Sequence, residues 1–262
     1  MDGRPSFLNK DRALVVPMIE QDTALKVISS IRDCIFDGAD AIGIMLDYLN
    51  RGERSEESFK EMFKYAGSRP IYITNYRQRK NTGMTDDELM DELLVSLDAG
   101  ATLIDVMGDT YDFDGSRHQM ATSDSAKKKQ RQLIGEIHSR GGEVLMSSHI
   151  FEFLDEETVV DIALRQQDQG ADIVKVVTYS GSEDEMLANF RTSLRLKKEL
   201  EKPFLFLVNG PYCKLQRIIG PALGSCMVLC VQSYEPQTFK DQPQLRATKI
   251  ALSNIDWDVY RN

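Results

Sequence analysis

Only three histidines, four cysteines and one tryptophan occur among 262 residues, and positive charge is scarce: 32 lysines and arginines face 41 aspartates and glutamates, for a net charge of −9. That balance argues against a nucleic-acid partner, because phosphate binding needs a basic face that would have to be assembled against the average. The one dense basic run, Lys127-Lys128-Lys129-Gln130-Arg131, opens an amphipathic stretch and reads as a solvated helix face. Cys34, Cys213, Cys226 and Cys230 show neither a Cys-x-x-Cys pair nor zinc spacing, which predicts reduced, mostly buried thiols and no metal. No apolar run approaches the roughly 18 residues of a membrane span, and Met1-Asp2-Gly3-Arg4 leads into polar sequence rather than a signal peptide. A cytoplasmic protein that does not engage membranes is the expectation.

What is present points to one large core. The apolar fraction of 42% is normal for a globular chain. The length is close to that of one α/β barrel, so a single domain spanning residues 1–262 is expected. Short aliphatic runs recur at Ala13 to Ile19, Ala41 to Leu46, Pro70 to Asn75, Thr102 to Met107, Glu143 to Ser147, Asp172 to Val177, Phe204 to Val208 and Cys226 to Val231. Between and after them, apolar residues at three- and four-residue spacing predict helices over Thr23 to Phe36, Glu56 to Tyr65, Asp86 to Leu97 and Asp124 to Ser139. The same spacing continues over Glu156 to Gln169, Glu183 to Leu200, Leu215 to Leu223 and Gln244 to Leu252. Gly38, Gly100 and Gly170 each stand between a helix end and the next strand, where a cap with positive φ is required. Strict β/α alternation demands a parallel sheet covered on both faces, and eight units close naturally into a (β/α)8 TIM barrel; an open doubly wound sheet is the alternative.

In a barrel, chemistry sits at the carboxyl ends of the strands. The sixth strand, Ala171-Asp172-Ile173-Val174-Lys175-Val176-Val177, carries one lysine among apolar neighbours. A buried ammonium is costly, and the chemical reason for one is a free amine that attacks a carbonyl; the alternative is a strand-end lysine reaching solvent or a carboxylate. The fifth strand runs into His149, a side chain suited to moving protons near neutral pH. Arg217, after the seventh strand, could clamp a carboxylate or simply lie on a helix surface. Asp109, Asp112 and Asp114 lie in the loop from Gly108 to Ser123 without the spacing of a calcium loop, and read as solvated.

Taken in order, these residues resemble the type I 3-dehydroquinate dehydratase family. Ser147-Ser148-His149-Ile150-Phe151 resembles its Ser-x-His-x-Phe segment, and Ala171-Asp172-Ile173-Val174-Lys175 its Gly-Ala-Asp-x-x-Lys strand. Pro70 to Arg77 is similar to its Pro-x-x-x-Thr-x-Arg strand, shifted by one residue before the arginine. Arg217 ahead of Gly224-Ser225, and Ser233 with Gln237, keep the places of its carboxylate-binding arginine and its flap. The resemblance runs from about Val15 to Ile250. It implies a lyase of the shikimate pathway of aromatic amino acid biosynthesis, with no cofactor and a homodimeric habit, acting on a small hydroxy-keto acid. Lys175 would form a Schiff base with a ring ketone and His149 would act as general acid and base. Arg217, Ser233, Gln237, Arg77 and Asp105 would hold the substrate.

The departures are equally specific. The family's Glu-x-Arg of strand two is Gly43-Ile44-Met45, the glutamate paired with the catalytic histidine aligns with Asn81, and the Asp-x-Glu of strand four is Asp105-Val106-Met107. Loss of the acidic partner should lower the basicity of His149, and Gly43 should open space where a glutamate would stand. Two other functions follow from these losses: a diverged Schiff-base lyase or aldolase for another hydroxy-ketone, and a non-catalytic ligand-binding barrel.

Overall fold

The computed structural model describes residues 4–8, 12–115, 118–236, 238 and 240–255. Eight parallel strands form one sheet: β1 (Leu14–Ile19), β2 (Ile42–Met45), β3 (Ile71–Thr74), β4 (Leu103–Met107), β5 (Glu143–His149), β6 (Ile173–Tyr179), β7 (Phe204–Asn209) and β8 (Met227–Cys230). From β1 to β7 each strand pairs with the next, and β8 returns to pair with β1. Across the remaining seam the Cys226 N–H donates to the Phe204 carbonyl at 2.8 Å. The fold is a (β/α)8 barrel, nearly closed.

Both strand faces are buried, which explains the unbroken apolar runs. Leu14, Val16, Leu103, Leu145, Ile173, Leu205 and Met227 point inward and fill the barrel, with Phe7 packed among them. The alternate residues, including Val15, Ile44, Ile104, Val144, Val174 and Val228, form an outer layer under the helices. A side-chain period of two therefore sorts every strand residue into barrel lumen or helix interface.

The helices are α1 (Ala24–Phe36), α2 (Glu56–Lys64), α3 (Asp86–Asp98), α4 (Asp124–Ser139), α5 (Glu156–Gln169), α6 (Glu183–Glu199), α7 (Cys213–Ile219) and α8 (Leu245–Leu252). Thr23, Ser55, Thr85, Ser123, Asp155 and Ser182 cap the first six through side-chain oxygens, and Thr85 forms a reciprocal capping box with Glu88. The predicted seventh helix is shorter than its periodicity suggested, because Pro221 and Gly220 tighten its end into a 3-10 turn. Gly38, Gly100 and Gly170 have φ of 86°, 107° and 110°, the left-handed geometry expected of them. Among the described residues, no helix is long and apolar enough to cross a membrane.

Gly170 and Gly135 make a controlled pair. Gly170→Ala is expected to destabilise by about 1 kcal/mol, because its φ is left-handed. Gly135→Ala, inside α4 with open space around its Cβ position, is expected to stabilise by roughly 0.5–1 kcal/mol. Urea denaturation of both variants checks the opposite signs.

Candidate active site

The lumen changes character halfway along the strands. Lys175 follows Ile173 in the inward set of β6, Asp105 follows Leu103 on β4, and Ser147 follows Leu145 on β5. The register sets Ser147 opposite Lys175, while Asp105 stands opposite Leu145, one inward position before Ser147, and meets Ser147 and Lys175 through its side chain. Lys175 is 3% exposed and Asp105 2%. The Lys175 Nζ lies 3.2 Å from Asp105 Oδ2, 2.8 Å from the Tyr76 Oη and 3.2 Å from the Tyr72 Oη. Both tyrosine hydroxyls donate to the same Asp105 oxygen, Tyr76 at 2.8 Å, and Ser147 Oγ donates to the other at 2.5 Å. From α5, Gln166 clamps the lysine backbone, accepting from its N–H at 2.9 Å and donating to its carbonyl at 3.0 Å.

Burial pulls the lysine pKa down and Asp105 opposes this only in part, leaving it below the ordinary value. For Asp105, burial alone would raise the pKa; the charge of Lys175 and hydrogen bonds from Ser147 and Tyr72 outweigh it and hold the carboxyl below its usual range. Burial, then the nearby carboxylate, pushes both tyrosines well above theirs, so each is a neutral donor.

Above this layer opens a cavity of about 380 Å³. Lys175, His149, Tyr76, Arg77 and Arg217 line it together, so the structure brings two strand-end groups and two of the arginine side chains singled out in the sequence to one place. His149 is half-buried, with its ring edge-on to Tyr76 at 5.0 Å between centroids. Burial, reinforced by the charge of Lys175, lowers its pKa to about 3, so the imidazole is neutral at neutral pH. Asn81 does not reach the histidine. It is fully buried, accepting from Arg54 at 2.7 Å and donating to Asn75 and the Tyr76 carbonyl.

The remaining expected groups divide. Arg217 is 4% exposed, donates to the Val208 carbonyl at 2.7 Å and Asn209 Oδ1 at 2.6 Å, and has no carboxylate ion-pair partner among the described residues. Arg77 is committed to protein carboxylates, making ion pairs with Asp86 at 2.6 Å and Asp109 at 2.8 Å. Asp105 lies beneath the cavity, against Lys175, rather than on its wall. Ser233 lines a separate small cavity near Gln21 and Ser30, and Gln237 lies outside the described residues. The space expected at Gly43 is filled: a Cβ there would meet the Met18 sulfur at 2.3 Å. Met18, Met45 and Met107 line the cavity with thioethers.

Four residues that sequence reasoning passed over belong to this region. Glu20 continues the inward set of β1 two residues after Met18, a signal that strand parity offered. Tyr72 has the lumen parity of β3 but reads as an ordinary aromatic core residue. Tyr76 keeps the parity of Tyr72 and Thr74 just beyond β3, and Arg79 lies further along the chain. Arg79 adopts φ of 53°, pairs with Asp47 at 3.0 Å and stacks 4.1 Å from the Tyr48 ring centroid on the cavity wall. Among the described residues, no group of three or more histidine, cysteine, aspartate or glutamate side chains could hold a metal ion.

A parallel barrel with a buried lysine, a carboxylate and a neutral histidine at the carboxyl ends of its strands defines an α/β-barrel enzyme. Residues 15–252 match the family described as type I 3-dehydroquinase. The chain belongs to that family, and with it to the lyases. A 3-dehydroquinate dehydratase of Klebsiella pneumoniae subsp. pneumoniae is 25% identical over 227 residues, covering 85% of each chain. Among solved structures, the type I 3-dehydroquinate dehydratase of Clostridium difficile with covalently modified comenic acid has 17% identity and a TM-score of 0.78, covering 94% of this chain and 93% of that one. The enzyme of Geobacillus kaustophilus HTA426 has 16% identity and a TM-score of 0.79, covering 97% and 95%.

The depressed His149 pKa makes stability depend on acid. The unfolded chain takes up a proton near pH 6.5 and the folded one only near 3, so this contribution is complete above 6.5 and is lost as pH falls toward 3. At pH 5 the loss from His149 is expected to be on the order of 1–2 kcal/mol. Thermal melts from pH 7 to 4 check this, and His149→Gln is expected to flatten the slope.

Proposed function

We propose that the protein dehydrates a cyclic β-hydroxy ketone carboxylate of the 3-dehydroquinate type through a Schiff base on Lys175, with His149 as general acid and base. What carries the proposal is Lys175 itself: a buried amine of lowered pKa that opens on a cavity shared with a neutral imidazole. The imine nitrogen would draw electrons from the adjacent carbon. His149 would take the proton released there and return it to the departing hydroxyl, which leaves as water. Arg217, a buried cation with no ion-paired carboxylate among the described residues, would hold the substrate carboxylate. Arg77 would brace the wall through Asp86 and Asp109, and Asp105 would position Lys175. Ser233 would join only through movement of the segment after β8, since it lines the other cavity, and Gln237 is proposed as a further substrate contact. A cytoplasmic, homodimeric enzyme of the shikimate pathway, folded as one domain, completes the proposal.

A specific feature favours a second substrate within the same chemistry. Met45 and Met107 stand on the cavity wall at positions where the resemblance implies an arginine and a glutamate, and Met18 fills the space beside Gly43. Such a wall suits a less hydroxylated hydroxy-keto acid, because buried polar substituents without partners bind poorly.

Borohydride reduction in the presence of 3-dehydroquinate, followed by intact mass and peptide mapping, is expected to place an adduct on Lys175. Lys175→Met is expected to abolish both adduct and enone formation. His149→Gln should keep the adduct but lower turnover by about 10²–10⁴-fold. A folded wild type that traps other keto acids but not dehydroquinate would select the second substrate class, and one that traps no carbonyl compound would refute the Schiff base.

A further inference from the structure

We propose that the Tyr76 hydroxyl is a further catalytic group, relaying the proton that Lys175 must shed before attacking a carbonyl and returning it to the departing carbonyl oxygen. This rests on Lys175 forming an imine. Tyr76 alone among the described side chains combines three contacts: it lies 2.8 Å from Lys175 Nζ, 2.8 Å from Asp105 Oδ2, and on the cavity wall. Tyr72 makes hydrogen bonds to the same two partners, yet it is fully buried below the cavity and does not line it. Asp105 is also off the wall. The His149 side chain makes no hydrogen bond to Nζ and instead sets its ring edge-on to Tyr76.

The proton inventory follows from this geometry. The Lys175 ammonium gives a proton to Tyr76 Oη as Tyr76 passes its own to Asp105, leaving a neutral amine and a neutral carboxyl. The amine lone pair then forms the C–N bond while the carbonyl π pair moves to oxygen. Through Tyr76, that oxygen receives a proton as the nitrogen loses one, giving a neutral carbinolamine. Asp105 returns its proton through Tyr76 to the carbinolamine hydroxyl, the C–O bond breaks with its electron pair leaving as water, and the nitrogen lone pair forms the protonated imine. Asp105 ends as it began, an anion beside a cation. It can take the proton in between because the charge of Lys175 offsets the burial that otherwise favours a neutral carboxyl. When that charge is gone, the burial remains.

Acetylacetone is the probe, because its enaminone with an active-site lysine is read by ultraviolet absorbance and does not require the natural substrate. Rates are compared on the plateau of each pH profile, so that an altered lysine pKa is separated from a lost relay. Tyr76→Phe is expected to slow adduct formation by about 10²-fold while leaving its final extent unchanged. Tyr72→Phe, which removes a hydroxyl from the same carboxylate without touching the cavity, is expected to cost several-fold at most. The wild type is expected to react more slowly in deuterium oxide, a readout that does not depend on any variant folding. Equal losses in the two variants, an undiminished rate in Tyr76→Phe, or no solvent isotope effect would overturn the relay. An unreactive wild type would overturn the imine and the relay together, whereas a reactive wild type with an undiminished Tyr76→Phe would leave the imine standing.

Discussion

One buried ion pair, Lys175 with Asp105, sets the terms for everything around it. Neither charge could occupy the lumen of an apolar barrel alone, and removing one partner from such a pair typically costs about 3–5 kcal/mol. The pair survives because its remaining hydrogen-bonding capacity is met by Ser147, Tyr72 and Tyr76. Tyr72 and Tyr76 come from β3 and the segment just after it and Ser147 from β5, so with Asp105 on β4 and Lys175 on β6 the polar layer ties together β3, β4, β5 and β6. The apolar residues below serve as its floor, and the cavity above is where one face of Lys175 is left for chemistry.

In the proposed reaction, the burial of this layer would divide proton chemistry between two groups. His149, kept neutral by its surroundings, would accept a proton from carbon. Tyr76 is kept neutral too, but against a carboxylate, so it can pass a proton only while another group supplies one. The family's histidine–glutamate pairing is thus absent from the described site. Asn81, at the aligned position, supports the loop through Arg54 and Asn75 instead.

Much of the fold was legible because a parallel barrel leaves a plain physical trace. Strands buried on both faces cannot alternate, and the glycines that end helices before them must turn left-handed, as Gly38, Gly100 and Gly170 do. Lys175 was legible for the same reason, as a lone cation in an apolar run. Its partners were less so. Asp105 was found, but as a substrate contact, because its level in the lumen depends on inter-strand register that no single segment contains. Tyr72 and Tyr76 look like packing residues until that register places their hydroxyls on one carboxylate oxygen. The supposed gap at Gly43 failed similarly: the neighbouring strand sets Met18 directly opposite, and its side chain fills the space.

Met18, Met45 and Met107 give the cavity two mechanical halves. On one side, hydrogen bonds and charge fix Lys175, Asp105 and Tyr76 in place. On the other, unbranched thioethers can re-pack around a guest of different outline at little cost. Reactivity and guest shape are therefore separately adjustable in this barrel. Selection can remodel the soft wall, one methionine at a time, while the atoms that would make and break bonds stay where they are.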